Sequence, residues 1–305
     1  MNTDEGIPSL PNAAGVASVT DPYVRYLVRN RDFTAPAVAA AIATLDQTRS
    51  GRHTRVLDAG TGGGGALRGL ARLVRAAGGD GTVTAVDADA RAIAAARLLV
   101  DDLRLERLVG LRVADIRDVA AEASAAGGAF DLVWSSDVLW PTTFADPTEV
   151  VRTLTDALVP GGTLALFTTN YYQSMFLPGH SRLERLVRTA SELTWALPAD
   201  GPTHHERLGA WMRDAGLTDI TLRVFPLVAS PATADPTAWA YLEQIVWPEM
   251  RRAAASNGRA AGMTDSDLVR AEELLDPTSP AWIGADPTTY VVQPTLLWTG
   301  RAPAA

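Results

Sequence analysis

An acid and five glycines stand together in Asp58-Ala59-Gly60-Thr61-Gly62-Gly63-Gly64-Gly65. The run follows the β-prone Arg55-Val56-Leu57 and precedes the helix-forming Ala66-Leu67. Glycine turns sharply and lets a ligand approach the backbone, because no Cβ stands in the way. The free N–H groups that open the following helix favour an anionic or electron-rich ligand. Two more acids, Asp87 and Asp115, end later β-prone runs. Carboxylates there can accept hydrogen bonds from ribose hydroxyls or from an exocyclic amine. Gly60, Gly62 and Gly65 satisfy G-x-G-x-x-G, the spacing that cradles a dinucleotide. The chemistry implied is the holding of a nucleoside-bearing cofactor.

The elements that must position these residues alternate. Strands are expected at Val56–Ala59, Thr82–Val86, Leu111–Ala114, Phe130–Trp134 and Thr163–Thr168. Helices are expected at Ala66–Ala77, Ala90–Leu103 and Thr148–Leu158, the last stopped by Pro160-Gly161-Gly162. Such alternation predicts a parallel sheet with helices on both faces. Two short helices precede it, one opened by Asp21-Pro22 and one capped by Thr34 with Pro36 in its first turn. Residues 49–53 form a polar linker containing His53, and Gly78-Gly79-Asp80-Gly81 a turn. The pattern then breaks at 170–205, resumes with a helix at Glu206–Ala215 ended by Gly216 and a strand at Asp219–Phe225, and breaks again at 226–289. The second interruption predicts one helix carrying Trp239, Leu242, Ile245 and Val246. It predicts another capped by Thr264 and Asp267 and carrying Leu268, Ala271 and Leu275. A last strand covers about Tyr290–Thr299, with Pro294 unable to donate a ladder bond, so that pairing should begin at Thr295.

Composition narrows the chemistry. The 305 residues, 47% hydrophobic, suffice for one large α/β domain with additions or for two small domains. There is no cysteine, which excludes disulfides, thiolate metal sites and a cysteine nucleophile. All 27 basic residues are arginine, which excludes a lysine Schiff base and a P-loop lysine. A net charge of −8 argues against a nucleic-acid partner. No apolar run is long enough for a membrane span. Met1 to Val19, polar and not basic, does not read as a signal peptide. A cytoplasmic enzyme is expected, with a homodimer as one possible state.

The same glycine run also fits D-x-G-x-G-x-G, the S-adenosylmethionine (SAM) fingerprint, through Asp58, Gly60, Gly62 and Gly64. Asp58, two residues before the first glycine, would accept hydrogen bonds near the methionine end, whereas dinucleotide strands usually run apolar to the glycine. Asp87 suits ribose hydroxyls under either fingerprint. Asp115 can accept the adenine amine while Ile116 packs on the ring. A final strand with no crossover pattern before it suits an antiparallel closing hairpin. With VLDAGTGGGG (56–65), VTAVDAD (83–89), VADI (113–116), FDLVWSSDVLW (130–140) and LVPGGTLALFTT (158–169) in register, the chain resembles the class I SAM-dependent methyltransferases of the ubiquinone/menaquinone and natural-product type. The resemblance implies a Rossmann-like α/β sheet, mostly parallel with an antiparallel last strand and helical cap insertions at 170–205 and 226–289. It implies residues 1–52 as a helical lid and 53–305 as the SAM-binding domain. Asp58, Gly60, Thr61, Gly62 and Gly64 would hold the cofactor from β-strand to helix. Asp87, Ala88, Asp115, Ile116 and Ser135 would complete the site. The family often has Asn where Ser136 stands and an ordinary residue at Asp137.

The acceptor site is less defined. Trp140, Tyr171, Trp195 and Trp239 would line it for a hydrophobic or planar small molecule, and aromatic faces also suit a sulfonium cation. Trp134, Tyr172 and Trp247 share their region, and core packing is the competing reading for each. His180, before the capping-box pattern Ser181-x-x-Glu184, would lie where a helix dipole disfavours imidazolium; a neutral ring there is a candidate catalytic base, or simply a surface residue. His204-His205-Glu206 reads as a polar helix start and not as a metal site, since adjacent helical residues diverge. Two alternatives stay open: a SAM-fold enzyme that cyclises instead of methylating, and an NAD(P)-dependent oxidoreductase, for which no Tyr-x-x-x-Lys pair exists.

Overall fold

A computed structural model of the chain describes residues 21–47, 55–77, 80–140, 142–197, 201, 204–230 and 236–304. The expectations for residues 1–19, for the 49–53 linker with His53 and for Gly78-Gly79 lie outside these. The first helix, α1 (Pro22–Gln47), is one element and not two. Thr34 does not cap; its Oγ1 donates to Asn30 O at 2.8 Å, four residues back within the helix. Pro36 removes one helical bond and normally breaks a helix. Here Val24, Phe33, Val38, Ile42 and Leu45, from both sides of the proline, are all buried, and that shared apolar stripe keeps the two halves in line.

Then come β1 (Arg55–Ala59), α2 (Leu67–Ala77), β2 (Thr82–Asp87), α3 (Ala90–Asp102), β3 (Val109–Val113) and α4 (Ile116–Ala125). Next are β4 (Phe130–Ser136), α5 (Pro147–Asp156) and β5 (Leu158–Thr169). The helix α4 departs from the sequence expectation, which ended a strand at Asp115-Ile116. Asp115 is its N-cap, accepting from Arg117 N, and Ile116, Val119, Ala120 and Ala123 form its buried stripe. After α6 (Ser181–Thr194), α7 (Leu208–Asp214) leads into β6 (Thr218–Ala229); then α8 (Pro236–Tyr241), α9 (Trp247–Asn257), α10 (Asp265–Leu275) and β7 (Val291–Arg301) close the chain. A single π turn, Leu242–Val246, joins α8 to α9.

The strands form one sheet in the order β3-β2-β1-β4-β5-β7-β6. The pairs from β3 through β5 are parallel, and β7 runs antiparallel to β5. That ladder begins at Thr169↔Thr295, one residue beyond Pro294, as the missing proline N–H requires. One sheet face buries Leu57, Val133, Leu164 and Leu166 against α4, α5 and α7 residues including Ile116, Leu154 and Trp211.

The chain divides into two compact units. The sheet unit contains α1 through Thr169, Pro202–Phe225 and Thr295 onward. The helical unit gathers Asn170–Gly201 with Pro226–Pro294, so the two interruptions of the αβ pattern fold together. Within it α6, α9 and α10 pack on one another, and Trp247 Nε1 donates to Phe176 O at 3.3 Å. Glu184 does not form the expected capping box: it accepts from Phe176 N at 2.6 Å and Leu177 N at 3.2 Å. These buried amides have no helical partner, and an acceptor inside the unit outweighs a cap at its surface. The box at Thr264–Asp267 does form. Among the described residues no helix is long and apolar enough to cross a membrane.

Candidate active site

The glycine run is the turn from β1 into α2. Gly60 N and Thr61 N both donate to Val86 O, at 2.9 and 2.8 Å, which fastens the turn to the end of β2. Gly60 has φ +82°, and a Cβ there would lie 2.2 Å from Val138 Cγ2. At Gly64, φ +85°, a Cβ would lie 3.1 Å from side-chain atoms of Leu67 and Leu99. Only glycine takes such a backbone cheaply in so little space.

Two carboxyls fix the loop from below and beside. Asp58 is 1% exposed, and Thr61 Oγ1 donates to its Oδ2 at 2.7 Å. Burial pushes the Asp58 carboxyl up to about 7, against the Thr61 bond, with the Asp87 charge adding to the rise. Asp87 accepts from Gly62 N and from Asp89 N, both at 2.9 Å. Burial raises its pKa more than those two bonds lower it. Asp87 is therefore a clamp on the loop as well as a candidate for ribose hydroxyls. Ala88, next to it, is exposed.

The α1 helix meets this loop, and sequence alone did not show it. Arg31 Nη1 donates to Gly63 O at 3.3 Å, and a Cβ on Gly63 would lie 3.4 Å from Leu27 O. Arg91 pairs with Asp89 at 2.6 Å and with Asp21 at 3.2 Å, and its guanidinium lies 4.7 Å from the Tyr23 ring centre. Burial, followed by the charges of Asp87 and Asp89, pushes the Tyr23 phenol above its ordinary value. Tyr23 thus joins the acid cluster from a helix where sequence offered only amphipathic spacing.

On the other side of β1, Ser135 is buried and donates to Ala59 O at 2.8 Å. Asp137 takes the left-handed region at φ +53°, which aspartate tolerates better than most residues. Its Oδ1 accepts from Thr169 N at 2.7 Å and Thr169 Oγ1 at 3.1 Å, tying the end of β4 to that of β5. Burial outweighs these bonds and raises its pKa. Asp115 is partly committed: Arg117 Nη2 and Nε reach it at 2.5 and 3.0 Å, which holds its carboxyl below the usual range. Ile116 is a core residue, 5% exposed.

Residues 50–210 match the family model described as a methyltransferase domain. That span is more than half of the chain. The chain belongs to the class I SAM-dependent methyltransferases. It is similar to a ubiquinone biosynthesis O-methyltransferase of Xanthomonas axonopodis pv. citri, 34% identical over 170 residues, 53% of this chain and 62% of that one. A counterpart from Xanthomonas campestris pv. campestris has the same identity and coverage. The chain thus spans less than two thirds of the curated relatives it matches. In fold it is similar to the YcgJ protein from Bacillus subtilis, with TM-score 0.50, 14% identity, and 87% and 99% of the two chains covered.

The donor set of this methyltransferase fits SAM. An acid stands at the end of β1, a second ends β2 and accepts from Gly62 N, and Asp115 caps α4 two residues beyond β3. Trp134 Nε1, fully buried in β4, has no protein partner. Asp58, Thr61, Gly62 and Asp87 come together in hydrogen-bonded contact. Trp140 is half-buried at the start of the loop after β4.

The remaining candidates lie in the helical unit. Tyr171 and Trp195 pack edge to face at 5.0 Å. Tyr171 Oη donates to Ser191 Oγ at 3.3 Å, and Trp195 hydrogen-bonds the buried Glu249 carboxyl. Trp239 packs against Trp247 at 5.4 Å, and Trp247 against Trp282 at 5.9 Å. Trp247, Trp282, Pro248 and Leu275 line a cleft of about 600 Å³ with Arg251 and Arg252 at its sides. His180 is the N-cap position of α6 without a side-chain cap bond. Burial, then the Arg270 charge, lowers its pKa, which favours the neutral ring. His204 caps a short 3₁₀ turn, accepting from Glu206 N, and among the described residues no group of acids and histidines is arranged to hold a metal.

Proposed function

We propose that the protein transfers the SAM methyl group to a small, hydrophobic or planar acceptor. The observation that carries this is the double lock of the glycine loop, Thr61 on Asp58 and Gly62 on Asp87, within a chain of this family. A ligand site preset in this way loses little freedom on binding. When bound, SAM supplies a methyl carbon activated by sulfonium: as the acceptor lone pair bonds to that carbon, the C–S bond breaks and its electron pair stays on sulfur, leaving S-adenosylhomocysteine (SAH).

The protein's residues hold and orient. Asp87, with Gly62 bonded to it, would hold the ribose, Asp115 the adenine amine with Ile116 next to it, and Asp58 and Ser135 the methionine end. Positioning of this kind is worth about 7–11 kcal/mol in a displacement of two held partners. His180, whose neutral form burial and Arg270 favour, is proposed as the base for an acceptor that must lose a proton. The aromatic groups of the helical unit support a flat acceptor. Residues 1–52 are proposed as the lid and the two insertions as the cap. The relatives named as ubiquinone biosynthesis O-methyltransferases support an oxygen acceptor.

Titration calorimetry tests this. The native protein is expected to bind SAH; binding of NAD in its place, with none of SAH, refutes it. Mass spectrometry of products from candidate acceptors should show the gain of one methyl, and an isomer of unchanged mass would refute transfer.

A further inference from the structure

Trp134 is fully buried, two residues before the end of β4. Its ring stacks on Phe167 at 5.6 Å and 25°, which accounts for the hydrophobic part of the side chain. It leaves the indole N–H unaccounted for. Among the described residues of the sheet unit, Nε1 is the buried side-chain nitrogen or oxygen without a protein partner. Buried donors are nearly always paired, because desolvation without a replacement bond is costly. A phenylalanine or leucine would fill an apolar slot without that cost.

The neighbour of Trp134 gives the N–H a use. Trp134 pairs with Asp58 in the parallel β1–β4 ladder. Directly paired residues project to the same side of a sheet, on strands about 5 Å apart. A residue with a buried acceptor and a residue with a buried, unpartnered donor are therefore neighbours across β1 and β4, near the strand ends from which the glycine loop departs. An α-amino acid presents the complementary pair, an ammonium that donates and a carboxylate that accepts, on one carbon.

We propose that Trp134 is a specificity-determining residue of the cofactor site, its indole N–H donating to the carboxylate of the cofactor's amino-acid end while Asp58 accepts from the ammonium. This rests on SAM being the cofactor. It adds that β1 and β4 read the two charges of that end as a cross-strand pair. The ligand carboxylate would supply the partner that the N–H lacks within the protein.

The experiment is titration calorimetry of wild type and Trp134→Phe with two ligands, SAH and its analogue lacking only the carboxylate. The variant should lose about 10- to 100-fold in affinity for SAH, the range of a hydrogen bond to a charged group. It should bind the decarboxylated analogue within about twofold of wild type, since a charge-assisted bond to the missing group cannot be lost. An equal loss for both ligands would assign Trp134 to packing alone, and no loss for SAH would leave its N–H outside the site; either result overturns the proposal. Should Trp134→Phe fail to fold, as judged by circular dichroism, 3-benzothienylalanine at position 134 keeps the bicyclic ring, replaces N–H by sulfur and faces the same comparison. Wild type failing to bind SAH would instead defeat the SAM assignment itself.

Discussion

Replacing Asp58 by Asn tests the site through stability and binding together. Asn keeps an oxygen for Thr61 Oγ1, which lies 2.7 Å from the carboxylate, and cannot ionise. Burial holds the Asp58 carboxyl at about 7 in the folded chain, against an ordinary value near 4 in the unfolded one. Its folded pKa is raised, so its contribution is fully present below pH 4 and is lost as pH rises through 7. The full loss is on the order of 4 kcal/mol, of which about 3 kcal/mol develops between pH 5 and pH 8. Asp58→Asn escapes that loss. Urea unfolding at the two pH values should show the variant gaining on wild type by roughly this amount at pH 8 relative to pH 5. Binding should move oppositely. An ammonium favours the ionised carboxylate, so wild-type affinity for SAH should rise from pH 6 to pH 8, with proton release seen as a buffer-dependent heat. The variant should bind more weakly, with the rise removed. A stability difference that is the same at pH 5 and pH 8 would refute the buried, proton-holding carboxyl.

Other consequences follow from single contacts. Asp87→Ala removes the acceptor of two backbone amides and should cost about 1–3 kcal/mol, with faster hydrogen exchange at Gly62 as well as weaker SAH binding; unchanged exchange would deny the clamp. Gly60→Ala brings a Cβ onto Val138 at a left-handed φ, and should cost about 2–4 kcal/mol. Adding Val138→Ala should recover the steric share and leave about 1 kcal/mol, as read by urea midpoints. Glu184→Ala leaves the Phe176 and Leu177 amides and Arg188 without their buried acceptor; a loss of about 3–5 kcal/mol should appear in tryptophan fluorescence of the unfolding transition. The His180 imidazole should titrate below 6.5 by NMR, and His180→Gln should slow methyl transfer by at least about 100-fold; an unchanged rate removes it as the base.

What sequence revealed was set by the range of the interactions involved. The glycine loop and Asp87 were legible because a strand, a tight turn and a helix impose local spacing, and each signal lies within a few residues of the next. The Thr264–Asp267 box was legible for the same reason. The similar pattern at Ser181–Glu184 failed because the partners that recruit Glu184, the Phe176 and Leu177 amides, lie in a preceding irregular segment. Nothing in a capping motif reports that competition. The helix α4 was hidden by its composition: its stripe of Ile116, Val119, Ala120 and Ala123 is mostly alanine and valine, weak as a periodic hydrophobic signal.

The same distinction separates cofactor from acceptor. The bonds from Gly60, Thr61 and Gly62 that preset the cofactor loop end on Asp58, Val86 and Asp87 at strand ends, so that part of the loop's chemistry is written in short motifs, whereas the Arg31 bond to Gly63 O comes from α1 and is not. The candidate acceptor residues depend on tertiary pairing instead. Tyr171 and Trp195 are twenty-four residues apart and meet edge to face, and the polar atom of each is already engaged, with Ser191 and Glu249. Trp247 and Trp282 come from α9 and from the segment after α10 to line one cleft. An aromatic residue in an insertion thus carries no role until its neighbours are known, and Trp134 makes the converse case. It sits inside a legible strand motif, and only the partners of its ring nitrogen, none within the described sheet unit, mark it as more than core.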